Sequence, residues 1–139
     1  MENKQEIHLE ISSTMKDTHG EEQTTKQSLT GQLIEKGSTI YLRYEEELEE
    51  TGKVQNTIKI EEHKVTVLRT GSVRMNHTYY MGMTSQGMYH SPFGPMAMET
   101  NTLAIQFHRE NNRGSFSLQY DLILNEQEVG QFTLEVTFS

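Results

Sequence analysis

Cysteine is absent from the 139-residue chain, and that absence removes thiol nucleophiles, disulfides, iron–sulfur clusters and thiolate zinc sites together. A disulfide-stapled secreted scaffold is excluded on the same ground. Basic charge is scarce: twelve Lys and Arg stand against twenty Asp and Glu, a formal net charge of -8. Such a surface repels nucleic-acid phosphates and anionic headgroups over about 8 Å at physiological salt, and the sequence carries no basic footprint of the kind nucleic-acid binding starts from. Long hydrophobic runs are also missing, since no stretch approaches the roughly 20 apolar residues of a membrane helix. The polar start Met1-Glu2-Asn3-Lys4-Gln5-Glu6 leads into no apolar segment of the secretory type. The expectation is a soluble, cytoplasmic protein with neither membrane insertion nor nucleic acid among its partners.

Helical periodicity is lacking as well. No window of about three helical turns shows an apolar stripe at the 3.6-residue period. Only 33% of residues are hydrophobic, yet they recur at alternate positions, which argues against disorder. Phe116, Leu118, Tyr120, Leu122 and Leu124 fall at every second position, and Phe132, Leu134, Val136 and Phe138 repeat the pattern beyond a polar turn. These runs read as a hairpin with one buried face. Leu103, Ile105 and Phe107 form the strand before it. Ile7, Leu9 and Ile11 alternate near the N-terminus, as do Ile40, Leu42 and Tyr44 after a turn at Lys36-Gly37-Ser38. Ile58 and Ile60 end one strand, and Val65 and Val67 open the next.

Polar segments separate these runs. Residues 17–26 read as a mobile loop ahead of a long strand ending near Glu35, and the run Glu45 to Glu50 as a solvated strand end that guards an edge. Ser91-Pro92-Phe93-Gly94-Pro95 should interrupt a ladder, because proline offers no amide donor. Strands spaced about 8–12 residues apart mean a sandwich or a barrel, and closure into a barrel removes the exposed edges that sequential hairpins leave. One all-β antiparallel domain over residues 1–139 suits the length, with roughly 68% of the unfolded chain's surface buried on folding.

The middle of the chain carries a resemblance. Tyr41-Leu42-Arg43-Tyr44-Glu45-Glu46, Gly52-Lys53-Val54 and Arg69-Thr70-Gly71-Ser72-Val73-Arg74-Met75-Asn76, followed by Ser91-Pro92-Phe93-Gly94 and the strand from Gly114 to Asp121, resemble the YwiB-like family in order and spacing. These are small uncharacterised proteins of Gram-positive bacteria, grouped as a domain of unknown function. The resemblance implies a calycin-like or lipocalin-like up-and-down β-barrel of about 8–10 strands. It implies no activity and carries over no functional residues.

Candidate site residues cluster between positions 69 and 98. Met75, Met81, Met83, Met88, Met96 and Met98 offer either an adaptable apolar wall for a ligand or ordinary gap-filling in a core; a copper(I) site lacks the cysteine it would favour. Arg69 shares strand parity with Val65 and Val67, which turns it inward to meet a ligand carboxylate unless Gly71 marks a bulge. Arg74 follows beyond the glycine, and exposure is the commoner fate of an arginine. Tyr79, Tyr80 and Tyr89 can supply hydroxyls, although tyrosine is common in strands. His77 and His90 sit among these residues without metal-ligand spacing, and half-buried imidazoles are their ordinary reading. A triad of Ser91, either histidine and Asp121 lacks any nucleophile elbow.

The leading expectation is therefore a non-enzymatic barrel binding a small apolar or amphipathic anionic molecule through Arg69, Arg74, Met75, His77, Tyr79, Met81, Tyr89 and His90, with no cofactor and no metal. The second is a solid barrel that docks a protein partner or a second copy of itself. An enzyme using His77 or His90 comes third.

Overall fold

The computed structural model describes residues 2–48 and 52–139. Every regular element in it is a strand: β1 (Glu2–Asp17), β2 (Glu22–Lys36), β3 (Thr39–Leu48), β4 (Gly52–Ile60), β5 (Lys64–Gly71), β6 (Arg74–Tyr80), β7 (Thr84–Ser91), β8 (Gly94–Glu110), β9 (Arg113–Leu124) and β10 (Gln127–Phe138). Each strand pairs antiparallel with its neighbours in sequence, and β10 returns to β1 over Leu9↔Phe138 to Asp17↔Gly130, closing the barrel. The family-based expectation of an all-β up-and-down barrel holds. The strands are longer than expected, up to 17 residues in β8.

Part of the stretch read as a loop is strand. Residues 22–26 belong to β2, and only a tight turn separates β1 from it; Asp17 Oδ1 accepts the backbone N–H groups of His19 and Glu21 at 2.9 and 3.0 Å. The ribbon tip is polar on both faces, with Thr14 and Thr24 hydroxyls 3.1 Å apart, so no hydrophobic alternation marks it. The acidic run continues β3 through Leu48, while its remainder, Glu49 and Glu50, lies outside the described residues. Pro92 and Phe93 form the β7–β8 turn as expected, but Pro95 stands inside β8 opposite His90.

Inward residues divide the barrel into two halves. At the end carrying the β2–β3, β4–β5, β6–β7 and β8–β9 turns, Ile7, Leu9, Leu33, Ile40, Leu42, Ile58, Ile60, Val65, Phe116, Val136 and Phe138 fill the interior. Phe107 stacks on Phe138 with centroids 6.3 Å apart. Arg109 on β8 reaches Glu35 on β2 at 2.9 Å, a tie between strands that are not neighbours in the sheet. Interiors of this kind are packed solid. The other end, where β1–β2, β5–β6, β7–β8 and β9–β10 turn, is not filled.

Candidate functional site

The unfilled half is a cavity of about 430 Å³ opening among these hairpins. Its wall is apolar: Ile11, Val67, Met75, Met98, Leu118, Leu122, Leu124, Phe132 and Leu134 all face it. Tyr120 stacks on Phe132 at 5.6 Å with planes 9° apart, and Tyr79 lies 4.7 Å from Tyr120 at 48°. The result is a continuous aromatic surface on one side. Each of these residues arrives by strand parity, because alternate side chains on a strand enter the barrel.

A charged cluster breaks the apolar lining. Arg69 on β5 donates through Nε to Asn56 Oδ1 at 3.1 Å and through Nη2 to Glu46 Oε1 at 2.7 Å. Asn56 Nδ2 donates to the same Glu46 oxygen at 3.0 Å, and Gln27 Nε2 approaches Oε2 at 3.5 Å. The Arg69 and Glu46 side chains are 21% and 13% exposed, so water screens their attraction less than at a surface. Burial raises the Tyr44 phenol well above its ordinary range, with Glu46 adding to the rise and Arg69 opposing it. Burial likewise raises Tyr79, with Tyr120 adding to it, and raises Tyr120, with the Tyr79 hydroxyl and Arg69 opposing. All three phenols stay neutral at ordinary pH and act through hydrogen bonds and ring faces rather than charge.

The structure gathers Arg69, Met75, Tyr79 and Tyr89 around this cavity and leaves the other candidates outside it. Arg69 is inward because Gly71 stays in register opposite Val54 and makes no bulge. Arg74 and His90 form a cross-strand pair on the opposite parity and are exposed. Met81 sits in the β6–β7 turn at the packed end, 42% exposed. The methionine cluster therefore disperses: Met75 and Met98 line the cavity, whereas Met83 and Met88 are exposed at 59% and 43%. Glu46, Asn56, Gln27, Tyr120 and Phe132 are lining residues that sequence reasoning left out. For Glu46 the signal was present, since it continues the parity of Ile40, Leu42 and Tyr44.

His77 is inward too, but it has a different place. The β6–β7 ladder contains only Arg74↔His90 and Met75↔Tyr89, and side chains hold the rest of the seam. Ser85 Oγ donates to the Thr78 carbonyl at 2.7 Å. The His77 ring crosses β7 above Gly87 and brings Nε2 to Thr100 Oγ1 on β8 at 2.7 Å, with Ser85 Oγ 3.2 Å away. Because the Ser85 hydroxyl proton is committed to Thr78, the consistent arrangement puts the ring proton on Nε2, donating to Thr100, while Thr100 donates to Ser85 at 3.2 Å. Burial lowers the His77 pKa and keeps the imidazole neutral. His77 is a satisfied core histidine that plugs the seam. Its neighbouring Ser85 hydroxyl is committed to the Thr78 carbonyl, and Ser91 bonds its own turn, donating to the Gly94 carbonyl at 3.1 Å.

Known proteins share this architecture. The model of a family described as a domain of unknown function, DUF1934, matches residues 9–136. The chain is similar to the uncharacterised β-barrel protein YwiB of Bacillus subtilis (strain 168), 29% identical over 132 residues that take in 95% of this chain and 92% of that protein. It is likewise similar to the crystal structure of the ywiB protein from Bacillus subtilis, with a TM-score of 0.87 at 28% identity over 98% of this chain and 92% of the other.

Proposed function

This chain belongs to the DUF1934 family, a domain of unknown function, and from that premise we propose that it is a non-enzymatic binding protein holding one small amphipathic molecule in the open half of its barrel. One observation carries the reading: a preformed inward cavity of about 430 Å³ with a largely apolar, partly aromatic wall and a charged cluster around Arg69. Small-molecule sites have this character, at about 300–1,000 Å³ with few, well-placed polar groups. Eight-stranded and larger barrels hold either packed side chains or a ligand, and here the two solutions occupy opposite ends. The ligand's apolar body lies against Phe132, Tyr120, Leu134 and Met98, and its polar end meets Arg69.

Titration with N-phenyl-1-naphthylamine, whose emission rises in apolar surroundings, tests this. Wild type should show saturable one-to-one enhancement, and Leu134→Trp, which pushes an indole into the cavity, should abolish or strongly weaken it. No enhancement in wild type, or equal enhancement in both proteins, would refute the reading.

A second reading has its own support. Met81, Met83 and Leu103 are 42%, 59% and 41% exposed and are brought together by backbone bonds from Gly82 to Thr102 and from Thr102 to Met83. Leu103 is the bulged residue of β8. This apolar spot at the packed end suits contact with a protein partner, and Met83→Asp should then weaken association while leaving dye binding intact.

A further inference from the structure

Resting on that cavity reading, we propose that the site selects an uncharged ligand whose polar edge carries a hydrogen-bond donor beside an acceptor, as in a carboxamide, lactam or urea, on an aromatic body. The argument turns on Glu46. Arg69 alone would make the cavity cationic and recruit a carboxylate. Glu46 cancels that charge at 2.7 Å, and Asn56 bonds both partners, fixing them in place.

An anionic ligand would bring a second negative charge against Glu46 in a partly buried site, or displace Glu46 from Arg69. Like charges juxtaposed this way are a standard means of rejecting a ligand. A cationic ligand meets the same objection from Arg69. An uncharged edge needs no displacement. Glu46 Oε2, whose one contact among the described residues is the long 3.5 Å approach of Gln27, remains an acceptor. Arg69 Nη1, which has no acceptor among the described residues, remains a donor. An acceptor and a donor carried by the same ion pair complement the N–H and C=O of an amide edge. The stacked Tyr120 and Phe132, backed by the buried Tyr79, offer ring faces to a flat body, and Met75 and Met98 give polarizable contact around it.

A matched pair decides the point. 2-Naphthamide and 2-naphthoate share one body and differ at the head, and the carboxylate is ionised at pH 7.4. Binding is followed by naphthalene fluorescence with the full chain. Wild type should bind the amide about tenfold or more tightly than the carboxylate. Glu46→Gln keeps the acceptor that Arg69 and Asn56 use and removes the charge, so it should bring the carboxylate level with the amide or above it. Equal binding, or a preference for naphthoate in wild type, overturns the proposal, as does an unchanged ratio in folded Glu46→Gln. Should that variant fail to fold, the wild-type ratio decides alone. Binding of N-phenyl-1-naphthylamine without either naphthyl compound overturns the ligand class only; binding of none of the three overturns the cavity reading as well.

Discussion

Replacing Gly87 by alanine would put a methyl carbon 2.7 Å from His77 Nδ1, well inside the usual contact distance of about 3.5–4.0 Å. Gly87 is not in the left-handed region, so the cost comes from space alone. The ring has nowhere easy to go: Nε2 is tied to Thr100 at 2.7 Å and the ring meets Tyr79 edge-on at 4.7 Å. Overpacking costs about 1–3 kcal/mol, and loss of the Thr100 bond adds about 0.5–1.5 kcal/mol. The stiffer unfolded chain returns about 0.4–1 kcal/mol. Gly87→Ala should therefore destabilise the protein by about 0.5–4 kcal/mol. His77→Ala alone should cost about 2–4 kcal/mol, through the void and the unpaired Thr100. In the double variant the new methyl enters space the ring has left, so the combined loss should fall short of the sum by about 1–3 kcal/mol. Urea unfolding followed by far-UV circular dichroism measures all four proteins, which suits a chain without tryptophan. Losses that add to within about 0.5 kcal/mol would show that His77 does not occupy the seam above Gly87.

The same histidine sets a pH dependence. Its folded pKa lies below the unfolded value of about 6.5 because burial disfavours the charged ring, so its contribution is complete above that pH and is lost as pH falls through the lowered folded value. Wild type should lose stability relative to His77→Ala on acidification from about pH 7 to 5, and a constant difference in urea midpoints would contradict this. Phe116→Ala in the packed half should cost about 3–5 kcal/mol, whereas Leu134→Ala beside the cavity should cost only about 1 kcal/mol and enlarge it; equal losses would mean the barrel is uniformly filled. Gly130 has φ +145°, and a Cβ there would collide with the Lys16 carbonyl oxygen and come within 3.0 Å of Asp17 Cα. Gly130→Val should lower the thermal midpoint by several degrees through strain at the β10 bulge, and an unchanged midpoint would refute the tight β1–β10 closure.

Much of this architecture was legible from alternation. The β9–β10 hairpin declared its inner face through Phe116 to Leu124 and Phe132 to Phe138, and the parity of Val65 and Val67 oriented Arg69. The β1–β2 tip was not legible, because a ribbon solvated on both faces leaves no hydrophobic period. Glu46 was obscured by its acidic neighbours: the run reads as solvent-facing, although strand parity sends every second member inward. Arg74 and His90 show the same rule in reverse, one position out of phase with Met75 and Tyr89. Which inward residues pack and which line a cavity was beyond reach, because strand tilt and stagger set that across the barrel. Tyr79 and Tyr120 meet across strands that are far apart in sequence, and no local pattern announces the contact.

Native mass spectrometry on the protein purified gently from its natural host tests the central claim most directly. A half-filled barrel that carries a ligand predicts a discrete non-covalent adduct of small-molecule mass, lost on denaturation and absent from Leu134→Trp. A bare protein mass for wild type, or the same adduct on both proteins, would contradict a ligand held in the cavity.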